Sequence, residues 1–163
     1  MNETRQIHTL EPFYDRNSRL LILGSFPSVK SREEGFYYAH KQNRFWTVLA
    51  ELYGEEKPEG VEKKKEFLHR HRIALWDVIA SCEITGSDDS SIRNEQVNDL
   101  SVILKEADIR FIYVNGRKAE RLYEKKLAVR FGKAEYLPST SPANASLSLA
   151  DLKKKWEKIL REE

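Results

Sequence analysis

The sequence is short of cysteine. Cys82 is the only one, so no internal disulfide can form and no paired-cysteine metal motif exists. It reads instead as a small buried apolar side chain. Long apolar runs are missing too, and none approaches the roughly 18 residues of a membrane span. Residues 1–20 hold no sustained apolar core and no small-residue cleavage site, so a secretory signal is not expected and the protein reads as cytoplasmic. Charge of one sign is not in excess. With 28 Lys and Arg against 26 Asp and Glu, the net charge is +2, so composition announces no polyanion partner and any nucleic-acid surface has to be local. The common catalytic signatures are absent as well: no GxSxG, P-loop lysine pattern, GxGxxG, HExxH or zinc-type Cys/His spacing. Neither a cofactor nor a metal is therefore expected.

What remains suits one soluble domain. The 163 residues are 40% hydrophobic and 33% charged, and residues 1–163 read as a single unit with residues 1–17 as an N-terminal arm, pinned by Phe13 and Tyr14. Short apolar runs at 20–23, 73–79, 109–114 and 134–137 have the length of strands. Between them, three- and four-residue apolar spacing predicts helices over 43–53, 58–72, 94–106, 117–126 and 148–161. The basic residues of 58–72 read as a solvated helix face, and 83–94 as a polar loop running to the same sheet edge as the loop after the first strand. Strands alternating with helices call for a three-layer α/β/α domain around a mainly parallel sheet of about four strands.

Two proline-containing loops, 24–28 and 138–144, each follow a strand. In a parallel sheet both lie at the carboxyl edge, where open α/β sheets bind ligands, so they would flank one cleft. The first leads into aromatic and amide side chains, Tyr37, Tyr38, His40, Gln42 and Asn43. The second carries hydroxyls and backbone N–H groups suited to phosphates. A flat base plus phosphate is a nucleotide or nucleic-acid signature. Phe45 and Trp46 fall on helical spacing and read as core, whereas Tyr37 and Tyr38 are open between core and stacking. From the residues alone Asn43 reads as a helix N-cap, Asp88 and Asp89 as turn and cap formers, and Asn115-Gly116 as either a base-reading amide or a turn pair.

Three stretches carry a family resemblance. They are Gly24-Ser25-Phe26-Pro27-Ser28, then the run from Gly35 through Tyr38, His40 and Asn43 to Trp46, and Leu137-Pro138-Ser139-Thr140-Ser141-Pro142-Ala143-Asn144. Together they resemble the uracil-DNA glycosylase superfamily, and within it most the hypoxanthine-DNA (deoxyinosine) glycosylase branch. The resemblance implies hydrolysis of the N-glycosidic bond of a deaminated base, hypoxanthine or uracil, flipped out of single- or double-stranded DNA, as a monofunctional step of base excision repair by a monomer. Many superfamily members hold an Asp or Asn catalyst in the first motif, as in G-Q-D-P-Y or G-I-N-P-G. Phe26 stands there in this chain. That departure points to the hypoxanthine branch, whose catalytic Asn lies in a later HxxNxFW segment, and by that match Asn43 is the catalyst. Mismatch-specific uracil glycosylases also resemble this segment, and the aromatic matching Tyr38 stacks on the base in them. The implied base-binding set is Gly24, Ser25, Phe26, Pro27, Tyr38, His40 and Asn115; the implied DNA-binding set is Ser28, Ser139, Ser141, Pro142, Ala143 and Asn144.

Chemistry supports Asn43 independently. Glycosidic cleavage passes through an oxocarbenium-like sugar, so C1′ needs a well-placed water more than a strong base, and a neutral amide can orient one. The departing base carries negative charge that backbone N–H groups of residues 24–28 or His40 can stabilise. Two other functions stay open at this point: a non-catalytic nucleic-acid binding module, for which Phe26 argues, and a hydrolase of free nucleosides.

Overall fold

The computed structural model describes residues 4–162, so the first three residues of the expected arm and Glu163 lie outside the described residues. In chain order the elements are β1 (Thr4–Ile7), β2 (Leu20–Gly24), α1 (Val29–Glu34), α2 (Phe45–Tyr53), α3 (Val61–Arg70), β3 (Ile73–Asp77), β4 (Ile79–Ile84), β5 (Arg93–Val97), α4 (Ser101–Leu104), β6 (Phe111–Asn115), α5 (Arg117–Lys126), α6 (Ala128–Phe131), β7 (Glu135–Leu137) and α7 (Leu149–Trp156), with a closing 3-10 stretch at Glu157–Glu162.

The four runs expected as strands make one parallel sheet in the order β3-β2-β6-β7. Leu20, Leu21, Ile22 and Leu23 are all fully buried, which requires cover on both faces of β2 and explains why it reads as a continuous apolar run and not an alternating one. The register decides the site. Gly24 stands opposite Asp77, and Asn115 opposite Leu137, so the strand ends and their loops meet at one edge. The arm is pinned as expected: Phe13 bridges Leu75 by two backbone hydrogen bonds of 2.9 Å, and Phe13 and Tyr14 pack on the core.

Four local expectations are corrected. A second, antiparallel sheet, β1-β4-β5, takes residues that read as arm, loop and helix. The helix expected over 94–106 is a strand at Arg93–Val97 and a short helix at Ser101–Leu104, because pairing with β4 satisfies that backbone and overrides the helical spacing of Val97 with Leu100. Residues 29–34, not assigned an element from sequence, form a helix capped by Ser28, whose hydroxyl accepts from Ser31 N–H, and closed by Gly35 in the left-handed region. The helix expected over 58–72 begins only at Val61, after Gly60 at φ 86°. Cys82 is fully buried, and burial pushes its thiol up to about 11. Among the described residues no helix is long and apolar enough to cross a membrane.

Candidate active site

The turn after β2 is built on close approach. A Cβ on Gly24 would stand 2.5 Å from Asp77 Oδ1 and 3.0 Å from the Tyr38 hydroxyl, so only glycine lets these two groups converge there. Ser25 turns away from that point: its Oγ donates to Asp89 Oδ2 at 2.8 Å. Asp89 is exposed overall, yet its carboxylate end is enclosed against Ser25, and burial holds its pKa above the ordinary carboxylate value. Thus the polar loop does run to this edge. Asp88 forms the expected turn, accepting from Ser90 N–H, whereas Asp89 is a strut and not a cap former. Phe26 is buried edge-on against the His8 ring at 5.9 Å, with Arg32 over its face, and Pro27 O accepts from Arg32 Nε.

Tyr38 occupies the left-handed region at φ 54°, a strained setting for an aromatic residue and one that marks functional sites. Its ring lies flat on Phe45, with centroids 3.9 Å apart and planes 14° from parallel. Its hydroxyl is buried and lacks a hydrogen-bond partner among the described residues. Burial and then the Asp77 charge drive the phenol pKa well above its ordinary range, and the Asn115 side chain opposes that rise without completing a bond of good geometry. Tyr37 is core instead, its hydroxyl donating to Glu11 O and its own carbonyl accepting from Trp46 Nε1.

Asn43 sits one step before Arg44, the residue preceding α2. Its Oδ1 accepts from Phe45 N–H at 2.9 Å, an Asx turn leading into α2; the N-cap position itself is taken by Arg44, so the expected N-cap role is not realised at Asn43. A carbonyl oxygen has two lone pairs, and one backbone donor does not exhaust them. His40 Nδ1 accepts from Gln42 N–H at 3.1 Å, which in the neutral ring leaves the proton on Nε2, a donor suited to a base carbonyl or a phosphate.

The second loop is tied to the first by backbone and buried groups. Thr140 is fully buried; its N–H donates to Asn115 Oδ1, its Oγ1 accepts from Asn115 Nδ2, and its carbonyl accepts from Arg44 N–H at 3.0 Å. Asn115 is thereby a strut whose two side-chain heteroatoms both face Thr140. Arg44 Nη1 and Nη2 donate to the carbonyls of Leu147 and Asn144 at 2.6 and 2.9 Å. From behind, Trp156 Nε1 donates to Pro138 O. Ser139 and Ser141 spend their hydroxyls locally, accepting from Ser141 and Ala143 N–H, and Asn144 Nδ2 donates to Ser139 O. Pro142 and Ala143 are left exposed at the tip. Ser28 is likewise engaged in capping α1.

Away from this edge, the basic residues closing α3 face carboxylates. Arg70 and His71 both contact Glu55, and His69 contacts Asp15, each at 2.5 Å.

Sequence reasoning missed four residues at this edge: His8, Asp77, Thr140 and Arg44. Arg44 and Thr140 lie inside the motif stretches, but nothing there marks their partners; His8 and Asp77, the latter inside the run read as a strand over 73–79, carried no signal, because these partners lie far along the chain.

A model of the uracil DNA glycosylase superfamily matches residues 11–162. A protein of Methanosarcina acetivorans named hypoxanthine DNA glycosylase is 39% identical over 90% of this chain and 93% of its own length. Its namesake from Methanosarcina barkeri is 32% identical over 92% of this chain and 95% of its own. The fold matches a solution NMR structure of a candidate uracil DNA glycosylase from M. acetivorans with a TM-score of 0.80 at 36% identity, covering 94% of this chain and 95% of that one.

Proposed function

This chain belongs to the uracil DNA glycosylase superfamily and is a DNA glycosylase acting on deaminated bases, and we propose that it takes hypoxanthine first and uracil second, with Asn43 as its catalytic residue. The observation that carries the reading is the meeting of Gly24, Tyr38, Asn43 and residues 138–144 at one sheet edge, with Arg44 joining the two loops through backbone carbonyls. The flipped base enters at the Gly24 turn, with Tyr38 as its stacking surface. Phe45 behind Tyr38 keeps that ring flat. Gly24, Ser25, Phe26 and Pro27 shape the turn, and His40 Nε2–H donates to the base or the departing anion.

The C1′–N bond breaks and its electron pair leaves with the base. Asn43 Oδ1 accepts a hydrogen bond from a water whose oxygen adds to C1′ and then gives up a proton, so the products are free base and an abasic sugar. The reaction needs positioning more than basicity, which an amide fixed by its turn onto Phe45 N–H provides. Phe26 leaves the turn without the usual catalyst, and the function passes to the start of α2. Pro142 and Ala143 stand where they fill the gap left by the extruded nucleotide, and Ser28, Ser139, Ser141 and Asn144 lend backbone and side-chain donors to phosphates. Asn115 serves the base site indirectly, by holding Thr140. We read the chain as a cytoplasmic monomer working as one domain.

The test is incubation with DNA carrying deoxyinosine or deoxyuridine, single- and double-stranded, followed by alkaline cleavage of abasic sites. Strand breaks at deoxyinosine are expected, lost in Asn43→Ala. Intact strands with both bases would refute the reading, and full activity of Asn43→Ala would remove that residue from the mechanism.

A further inference from the structure

We infer that the chain takes its deaminated base chiefly from unpaired DNA, in single strands or helix defects, and works slowly on a base held in a stable pair. The inference rests on the preceding reading of the site and names the form of DNA that site takes.

Extruding a base costs unstacking and unpairing. The cost is least for a base that is mismatched or already single-stranded, so an enzyme acting on a stable duplex has to offset it with contacts to the strand. Two kinds of contact do this in general: an apolar wedge driven between base pairs, and donors or cations that grip the deformed backbone. This chain is poor in both.

The wedge is the tip of residues 138–144, where Pro142 and Ala143 are the exposed pair. A pyrrolidine ring and one methyl fill a gap once it is open, but they offer little surface against a base pair while it is being prised apart. The grip is light as well. Between 140 and 144 every backbone N–H is engaged: Thr140 on Asn115 Oδ1, Ser141 on Ser139 Oγ, Ala143 on Ser141 Oγ and Asn144 on Ser141 O, while Pro142 has none. A phosphate has to share these donors with their present acceptors. Bulk charge does not make up the difference, since the chain carries only +2 overall.

A third feature opposes a second strand. The hairpin loop between β4 and β5 is drawn to the site edge by three hydrogen bonds: Ser25 Oγ donates to Asp89 Oδ2 at 2.8 Å, Val29 N–H to Ser87 Oγ at 2.9 Å and Arg32 Nη2 to Gly86 O at 2.9 Å. Asp88 is exposed in that loop, and its carboxylate accepts from both the hydroxyl and the N–H of Ser90. Those bonds hold its pKa below the ordinary carboxylate value, so it is an anion at neutral pH. A flexible single strand bends clear of the charge, whereas a duplex, stiff over many helical turns, brings its phosphates past it.

What the site does supply acts on the nucleotide itself. Tyr38 lies on Phe45 with ring centroids 3.9 Å apart, and such a platform binds a base by stacking, with no need of a complementary strand.

The experiment measures single-turnover excision of deoxyinosine, with enzyme in saturating excess, in three settings of one sequence: a single strand, a bubble of unpaired bases within a duplex, and a duplex that pairs it with deoxycytidine. Deoxyuridine is run in the same settings, paired with deoxyadenosine, so the comparison holds whichever deaminated base the wild type takes. Wild type is expected to act on the single strand and the bubble at least about 10-fold faster than on the pair. Ala143→Leu, a longer wedge, should raise the rate on the pair by about 5-fold or more and narrow that ratio. Asp88→Asn keeps an acceptor for Ser90 and removes the charge; it should tighten duplex binding by about 3-fold or more and leave single-strand excision within about two-fold of wild type. Equal wild-type rates on single strand and pair, or a ratio and a duplex affinity that neither variant changes, would overturn the inference. Absence of excision in all three settings with both bases would instead overturn the reading it rests on.

Discussion

The two loops at the carboxyl edge are held in opposite ways. Residues 24–44 are fastened into the core. Trp46 and Glu11 fix Tyr37, Phe45 lies under Tyr38, and Ser31 Oγ accepts from Ala39 N–H. Residues 138–144 are fastened only at their base, by Thr140, Arg44 and Trp156, while their hydroxyls stabilise turns within the loop and Pro142 and Ala143 project. The difference suits the work we propose for each. Chemistry at C1′ needs atoms fixed to a fraction of an ångström, which burial supplies, whereas a wedge for a base gap needs a stiff tip that reaches out of the surface.

This division can be broken most directly at Asn43. Asn43→Ala is expected to reduce single-turnover excision by at least about 100-fold while DNA affinity stays within a few-fold; loss of its hydrogen bond from Phe45 N–H should cost about 1 kcal/mol of stability, read by urea unfolding. Next comes Gly24→Ala. Its methyl would meet Asp77 Oδ1 and Tyr38, so a destabilisation of about 1–3 kcal/mol and a large fall in excision are expected, and a native urea midpoint would show that the turn is looser than its geometry.

Arg44 joins the two loops and sharpens the comparison. In Arg44→Met the second loop loses two charge-assisted bonds, and KM should rise about 10-fold with kcat changed less; Arg44→Lys should recover part of this. Ala143→Asp, at the exposed tip, should weaken DNA binding by several-fold with unfolding unchanged within about 0.5 kcal/mol. If it slows chemistry at saturating DNA as much as Asn43→Ala does, the division of labour is wrong.

The smallest effect lies beyond the far end of α2. Arg70 first, then His71, hold the Glu55 carboxyl below its ordinary value. A depressed folded pKa means stability present above the ordinary carboxylate range and lost as pH falls through the lowered value. Because the pair is largely solvated, Glu55→Gln should flatten that acid limb by less than about 1 kcal/mol, with excision untouched.

The core elements were legible because their signals are local. Apolar runs located all four parallel strands, and α5 matched the expected span at both ends. The second sheet was not legible: 79–84 is a strand because it pairs with the arm on one side and with 93–97 on the other, information absent from any of these segments alone. At the site, the motif stretches marked Tyr38 and Asn43, and the structure puts both against Phe45 at the start of α2. It also gives several marked residues other employment. Ser28 caps α1, Ser25 holds Asp89, and Asn115 holds Thr140.

By itself the sequence determined the parallel sheet and the two loops at its edge, which follow from periodicity and turn chemistry acting over a few residues; the proposed displacement of the catalytic amide to Asn43 rests on the family resemblance. Only the tertiary structure decided which side chains share the pocket. Strand register set Asp77 opposite Gly24, the arm brought His8 across 69 positions to meet it, and Arg44 reached 100 positions to Asn144. Packing creates such contacts by burying a common core, and no spacing within a single segment encodes them.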